Sequence, residues 1–277
     1  MKKKHSDLPI QKVVTARGSV VSYIEKGEGP PLIIVPGLFQ NVNGLRHLII
    51  ELSQHFRVIC LAVPGSEGSS FLPAYTNEAI GRWVEEALES LGVRKALFVS
   101  VSLGAILVVS GIVAFKRVKV LGYVAHEPVT RLTHTRVWWR LLYQTNRLLY
   151  ERRLGFLSLT MIWVIRFVLA HVFRQGFARA LLGTPVRVFP PMGDVLSEQP
   201  TDELAVAAAK KVPTLVVLSS ERTRGLIEQE QMMRAVGRMS VVGLETLSGA
   251  KHFLRREDQR NLARHVVGFA RRRRVIL

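Results

Sequence analysis

Six short, continuous apolar runs constrain this chain most: Pro31–Val35, Phe56–Leu61, Ala96–Val99, Val120–Ala125, Thr214–Leu218 and Val241–Leu244. Each is four to six residues long and shows no polar alternation. Such runs fit strands buried on both faces, because a strand with one wet face would alternate apolar and polar residues. The first two runs stop near Pro36-Gly37 and Pro64-Gly65. Proline removes a ladder donor and glycine admits a tight turn, so both strands end there. Between the runs, Ile80, Trp83, Val84, Ala87 and Leu88 fall at helical spacing within Asn77–Leu91. Leu103–Phe115 is apolar almost throughout, which predicts a buried helix. Alternating strands and helices predict an α/β fold, a mostly parallel twisted sheet flanked by helices.

The length of 277 residues is ample for a buried core. Lysine and arginine total 39 against 21 acids, a formal charge of +18, yet 48% of residues are hydrophobic, which excludes a disordered chain. That charge first suggests nucleic acid or an anionic membrane surface. No helix-turn-helix, zinc-finger or RNA-recognition signature accompanies it, and basic residues are scattered apart from Lys2-Lys3-Lys4 and Arg271–Arg274. Nucleic acid is therefore not expected as a partner. The single cysteine, Cys60, lies in the run Val58-Ile59-Cys60-Leu61, reads as a core residue and excludes an intrachain disulfide. No glycine-rich dinucleotide loop, phosphate-binding loop or H-E-x-x-H segment occurs, so neither cofactor nor metal is expected. The basic N-terminus runs into Ser6-Asp7-Leu8-Pro9 rather than an apolar stretch. A secretory signal is not expected, and the expectation is a cytoplasmic protein, peripheral at most to a membrane.

The apolar strand rhythm breaks between Val129 and Ala205. The chain thus divides into residues 1–128, the first part of an α/β core, an inserted helical segment at 129–205, and residues 206–277, the second part of the core. The insertion carries ten arginines between Arg131 and Arg187, with Glu151 the one acid in that span. Its stretch Leu154–Phe173 holds only Arg166 and His171 as strongly polar residues and is long enough to cross a bilayer. A central arginine costs a few kcal/mol there, about 2.5–3.5 on insertion scales. A crossing would also put two halves of one sheet on opposite sides of a membrane. Two readings stay open: a buried helix over the core, or a helix resting on an anionic membrane surface.

Chemistry concentrates in Ser100-Val101-Ser102-Leu103-Gly104, which joins the third run to the buried helix. A nucleophile raised on a strand-to-helix turn needs small residues two positions either side, where the strained turn packs against backbone. Ser100 and Gly104 satisfy that need around Ser102. The helix that follows directs its first N–H groups toward developing negative charge.

Taken together, four segments resemble the α/β-hydrolase fold family, in its cap-bearing esterase, lipase and epoxide-hydrolase-like branch. The family's G-x-S-x-G elbow reads S-V-S-L-G here, with Ser100 in place of the first glycine. Its His-Gly turn reads Pro36-Gly37-Leu38-Phe39, and Pro64-Gly65-Ser66-Glu67-Gly68-Ser69 is close to P-G-x-G-x-S. Ser248-Gly249-Ala250-Lys251-His252-Phe253-Leu254, with Glu257 five residues past the histidine, is similar to G-H-F-x-x-x-E. The resemblance runs over nearly the whole chain outside the insertion, which takes the place of the family's cap.

It implies Ser102 as nucleophile and His252 as general base, late in the chain as the family's order has it. Two carboxylates compete for the third place. The common position, after the run Thr214–Leu218, is Arg222 here, and Glu221 stands one residue before it. Glu127 directly follows the run Val120–Ala125 and its neighbour His126, as in members that carry the acid on the earlier strand. Either would orient the histidine and stabilise its cation. The oxyanion hole implied is the backbone N–H of Leu103 with that of Leu38 or Phe39. A serine at the nucleophile position argues against dehalogenase or epoxide-hydrolase chemistry, which needs a carboxylate there. Trp138 and Trp139 would line a substrate pocket or simply fill core space.

The function expected is that of a serine hydrolase acting on an ester or thioester with an apolar acyl chain. Two alternatives remain: an acyltransferase using the same residues, and a catalytically silent relative that binds lipid or a protein partner. The second is motivated by the departures at Ser100, Pro36, Ala62 and Arg222.

Overall fold

The computed structural model describes residues 7–37, 40–128, 157, 160, 164, 210–221 and 241–277. Its strands are β1 (Gln11–Val14), β2 (Val20–Lys26), β3 (Pro31–Val35), β4 (Arg57–Leu61), β5 (Lys95–Val101), β6 (Lys119–His126), β7 (Thr214–Glu221) and β8 (Val241–Lys251). The helices used below are α1 (Arg46–Leu52), α2 (Asn77–Ser90), α3 (Gly104–Ala114) and α4 (Arg256–Arg272). All eight strands form one sheet in the order β1-β2-β4-β3-β5-β6-β7-β8. The pairs β1–β2 and β2–β4 are antiparallel, and the pairings from β4 through β8 are parallel. Every run read as a strand from the sequence therefore lies in the parallel part.

Two apolar layers explain why the runs inside the sheet are continuous; the run Val241–Leu244 departs from the expectation, because it lies on the edge strand β8 and leaves Val242 and Leu244 exposed. On β3, Ile33 and Val35 join one buried cluster with Ile80 and Trp83 of α2 and Leu107 of α3. Their neighbours Leu32 and Ile34 point the other way, into a cluster with Leu48 and Leu52 of α1 and Leu262 and Val266 of α4. A strand covered on both faces has no wet side on which a polar residue would be favoured. Cys60 is wholly buried in the second cluster, and desolvation raises its thiol well above the ordinary range.

α2 begins at Thr76, whose hydroxyl accepts from the Ala79 N–H at 3.2 Å, and it ends at Ser90 close to its predicted limit. α3 spans Gly104–Ala114 and is buried at nearly every position, as its composition predicts. It can start hard against β3 because Gly104 has no side chain: a Cβ there would stand 2.3 Å from the Val35 carbonyl oxygen.

The antiparallel pair β1–β2 and the amphipathic helix α4 extend the fold beyond the sequence expectation. α4 buries Leu262, Ala263, Val266, Phe269 and Ala270 while its arginines face outward. The insertion at 129–205 lies outside the described residues apart from Leu157, Thr160 and Val164, which are helical. No helix among the described residues is long and apolar enough to cross a membrane.

Candidate active site

The C-terminal ends of β5, β6, β7 and β8 converge on one cluster. Ser102 follows β5 directly and has φ of 51°, a left-handed conformation rare for a residue with a side chain. Its N–H donates to the His126 carbonyl at 2.9 Å and its own carbonyl accepts from Ala105 at 3.0 Å. The turn is thereby tied to β6 on one side and to α3 on the other. Gly37 packs beside it: a Cβ there would stand 3.2 Å from the Ser102 Cβ and 3.3 Å from the Val101 carbonyl oxygen.

Ser100, where the family has glycine, is fully buried, and its hydroxyl lies 2.6 Å from that of Tyr123 on β6. The extra hydroxyl is thus satisfied inside the sheet, away from Ser102. Burial also raises the Tyr123 hydroxyl above its ordinary range, against the opposing bond from Ser100. Both groups stay protonated.

His252 comes immediately after β8 and is 9% exposed. Its Nε2 lies 2.9 Å from Ser102 Oγ. Its Nδ1 faces Glu127 Oε2 at 3.6 Å, longer than a full hydrogen bond. Glu127 follows β6, is 3% exposed and takes φ of 45°. Its N–H is held by the Val217 carbonyl at 3.0 Å, and its Oε1 accepts from the Ser219 N–H at 2.7 Å. Burial alone would raise this carboxyl. The facing His252 ring and the Ser219 N–H outweigh burial and hold it below the usual carboxylate range.

A second histidine stands behind the first. His126 is wholly buried at the end of β6, and its Nε2 is 3.1 Å from Ser219 Oγ. Ser219 Oγ in turn donates to the Lys251 carbonyl at 3.1 Å. His126 Nδ1 has no hydrogen-bond partner among the described residues. Desolvation pushes this imidazole down to about 3, so it is neutral wherever the protein is folded at ordinary pH. The sequence reading assigned no role to His126 or Ser219. Their signal was faint: each is a polar residue near the C-terminal end of an otherwise apolar run.

Of the residues named from sequence, the structure brings together Ser102, His252 and Glu127, with Leu103 buried at the start of α3. Glu221 sits exposed at the last residue of β7. Leu38, Phe39, Trp138, Trp139 and Arg222 lie outside the described residues. Gln40, directly after Phe39, accepts from the Gly37 N–H through Oε1 at 3.4 Å. Among the described residues, no group of three or more His, Cys, Asp or Glu is arranged to hold a metal ion.

The family model for the alpha/beta hydrolase fold matches residues 30–149. No curated protein matches the sequence. Among solved structures, the chain is similar to an esterase from Thermogutta terrifontis, at TM-score 0.73 and 18% identity over 96% of this chain and 99% of that one. It is also similar to an enol-lactonase from Burkholderia xenovorans LB400, at TM-score 0.70 and 17% identity over 94% of this chain and 99% of that one. A bromoperoxidase from Bacillus anthracis superposes at TM-score 0.72 and 13% identity, over 94% of this chain and all of that one. The parallel sheet, the serine turn after β5 and these likenesses show the α/β-hydrolase fold.

Proposed function

We propose that this protein is a serine hydrolase that cleaves a carboxylic ester or thioester with an apolar acyl chain. One observation carries the reading: Ser102 Oγ is 2.9 Å from His252 Nε2, while the opposite nitrogen of that ring faces the buried Glu127 carboxylate. Nucleophile, base and orienting acid need that order in space.

In the reaction proposed, Ser102 Oγ attacks the substrate carbonyl carbon as His252 Nε2 takes the hydroxyl proton. The new imidazolium is stabilised by ionised Glu127, and the 3.6 Å gap closes as positive charge develops on the ring. Backbone N–H groups at the start of α3, beginning with Leu103, would receive the oxyanion together with an N–H from the Leu38–Phe39 turn. Pro36 carries no N–H, so that donor comes from further along the turn. Collapse of the intermediate releases the alcohol or thiol with the proton from His252 and leaves Ser102 acylated. Water then adds to the acyl carbonyl as His252 takes its proton, and collapse of that intermediate returns the proton to Ser102 Oγ and releases the carboxylic acid.

The apolar acyl preference rests on the composition of residues 129–205, including Trp138, Trp139 and Leu154–Phe173. The arginines of that segment are the basis for proposing contact with an anionic lipid surface, which flotation with anionic and neutral liposomes tests. A fluorophosphonate probe tests the chemistry. Labelling of the folded protein that disappears in Ser102→Ala supports the hydrolase, and no labelling of folded wild type sinks it in favour of a binding protein.

A further inference from the structure

The acid and the base of the cluster come from strands that are not neighbours. Glu127 follows β6 and His252 follows β8, with β7 between them. Something on β7 must therefore set the separation between carboxylate and imidazole. Ser219 occupies that place, and it is fully buried.

The pairing of β7 with β8 shifts register between Ser219 and Glu221. On the side of β7 that faces β6, the Ser219 N–H donates to Glu127 Oε1 at 2.7 Å. The Ser219 hydroxyl lies 3.1 Å from the carbonyl of Lys251, the residue just before His252. One residue thus grips the acid through its backbone and the base's own segment through its side chain. Its hydroxyl has a single hydrogen, and the Lys251 carbonyl can only accept. The hydrogen in the His126–Ser219 contact at 3.1 Å must therefore belong to the ring. His126 is then the Nε2–H tautomer with a bare Nδ1, which agrees with Nδ1 being the ring atom without a partner among the described residues.

We propose that Ser219, held in orientation by His126, is a positioning residue that fixes the alignment of Glu127 with His252. The proposal rests on the hydrolase reading of Ser102. Ser219→Ala keeps the N–H to Glu127 but releases the Lys251 carbonyl and leaves the His126 N–H without an acceptor. A small displacement of a catalytic group costs up to about a hundredfold in rate. The fluorophosphonate inactivation rate of Ser219→Ala is therefore expected to fall about tenfold or more.

A purely structural role would lower the melting temperature and leave the chemistry's pH dependence alone. Positioning predicts instead that the acidic limb of the inactivation profile moves to lower pH, because a loosened carboxylate stabilises the His252 cation less. Ser219→Thr restores the hydroxyl and should recover most of the rate. His126→Gln, which keeps an N–H donor, should outperform His126→Leu. Wild-type labelling with an unchanged rate and pH limb in Ser219→Ala overturns the proposal, whereas absence of wild-type labelling overturns the hydrolase reading instead. Nitrogen-15 NMR of histidine-labelled wild type needs no variant to fold. An Nε2–H tautomer at His126 supports its orienting bond to Ser219, and an Nδ1–H tautomer overturns it.

Discussion

Glu127 and His252 face each other across 3.6 Å although β7 separates the strands that carry them. Glu221, on β7 itself, is exposed at the strand's last residue. Glutamine at Glu127 would present an N–H where His252 needs an acceptor, and so favour the wrong ring tautomer. Glu127→Gln is expected to lower kcat by about a thousandfold or more. Glu221→Gln should stay within about twofold, because its carboxylate is exposed at the end of β7. Parallel kinetics of both variants on one ester decide the matter; equal losses would remove Glu127 from the acid's place.

His126 gives the protein a specific acid sensitivity. Its imidazole is held at about 3, against an ordinary value of 6.5. Between those values the unfolded chain binds a proton that the folded chain refuses. Stability is therefore complete above the upper value and is lost as pH falls, by up to about 1.4 kcal/mol per pH unit. Glu127, whose carboxyl is depressed, adds a loss of the same sign below its ordinary 4.5. His126→Gln should flatten the decline from 6.5 down to about 3, leaving below 4.5 only the part that Glu127 contributes. Melting temperatures recorded across that window check it, and an unchanged slope would contradict a neutral buried imidazole.

The Ser100–Tyr123 contact at 2.6 Å is a closed pair, since both side chains are buried. Ser100→Ala strands the tyrosine hydroxyl and should cost about 1–3 kcal/mol. Tyr123→Phe should cost a similar amount. The double variant should lose less than the sum of the two, because neither orphan remains. Denaturant titrations of the four proteins test this, and strict additivity would mean the hydroxyls do not depend on each other.

Two glycines should separate stability from activity. Gly104→Ala drives a methyl to 2.3 Å from the Val35 carbonyl oxygen, a collision with backbone that should cost about 3 kcal/mol or more. Gly37→Ala meets Ser102 Cβ at 3.2 Å, tight but within reach of a small adjustment. That variant should melt within a few degrees of wild type and label more slowly with the fluorophosphonate. Wild-type labelling by Gly37→Ala would show that the turn has slack beside Ser102.

The parallel sheet was legible because burial on two faces leaves a local trace, an unbroken apolar run such as Pro31–Val35. β1 and β2 left a weaker one. β1 is largely exposed at the sheet edge, and β2 ends in Glu25-Lys26, so neither reads as a doubly covered strand. The turn around Ser102 was legible for the same local reason, since small residues must flank it. The choice between Glu127 and Glu221 was not. It depends on how β6, β7 and β8 pair, which no window of the sequence contains. Ser219 and His126 were hidden further, because a lone serine or histidine in an apolar strand looks alike whether it fills space or holds a carboxylate.

Ser102 and Glu127 both adopt left-handed backbone, at φ of 51° and 45°. Each such residue carries a cost on the order of 1–3 kcal/mol that its own segment would release if set free. The sheet ends and α3 act as a clamp on two sprung turns. Warming should relax those turns before the sheet itself parts, so that catalytic competence fades while the bulk of the fold is still intact.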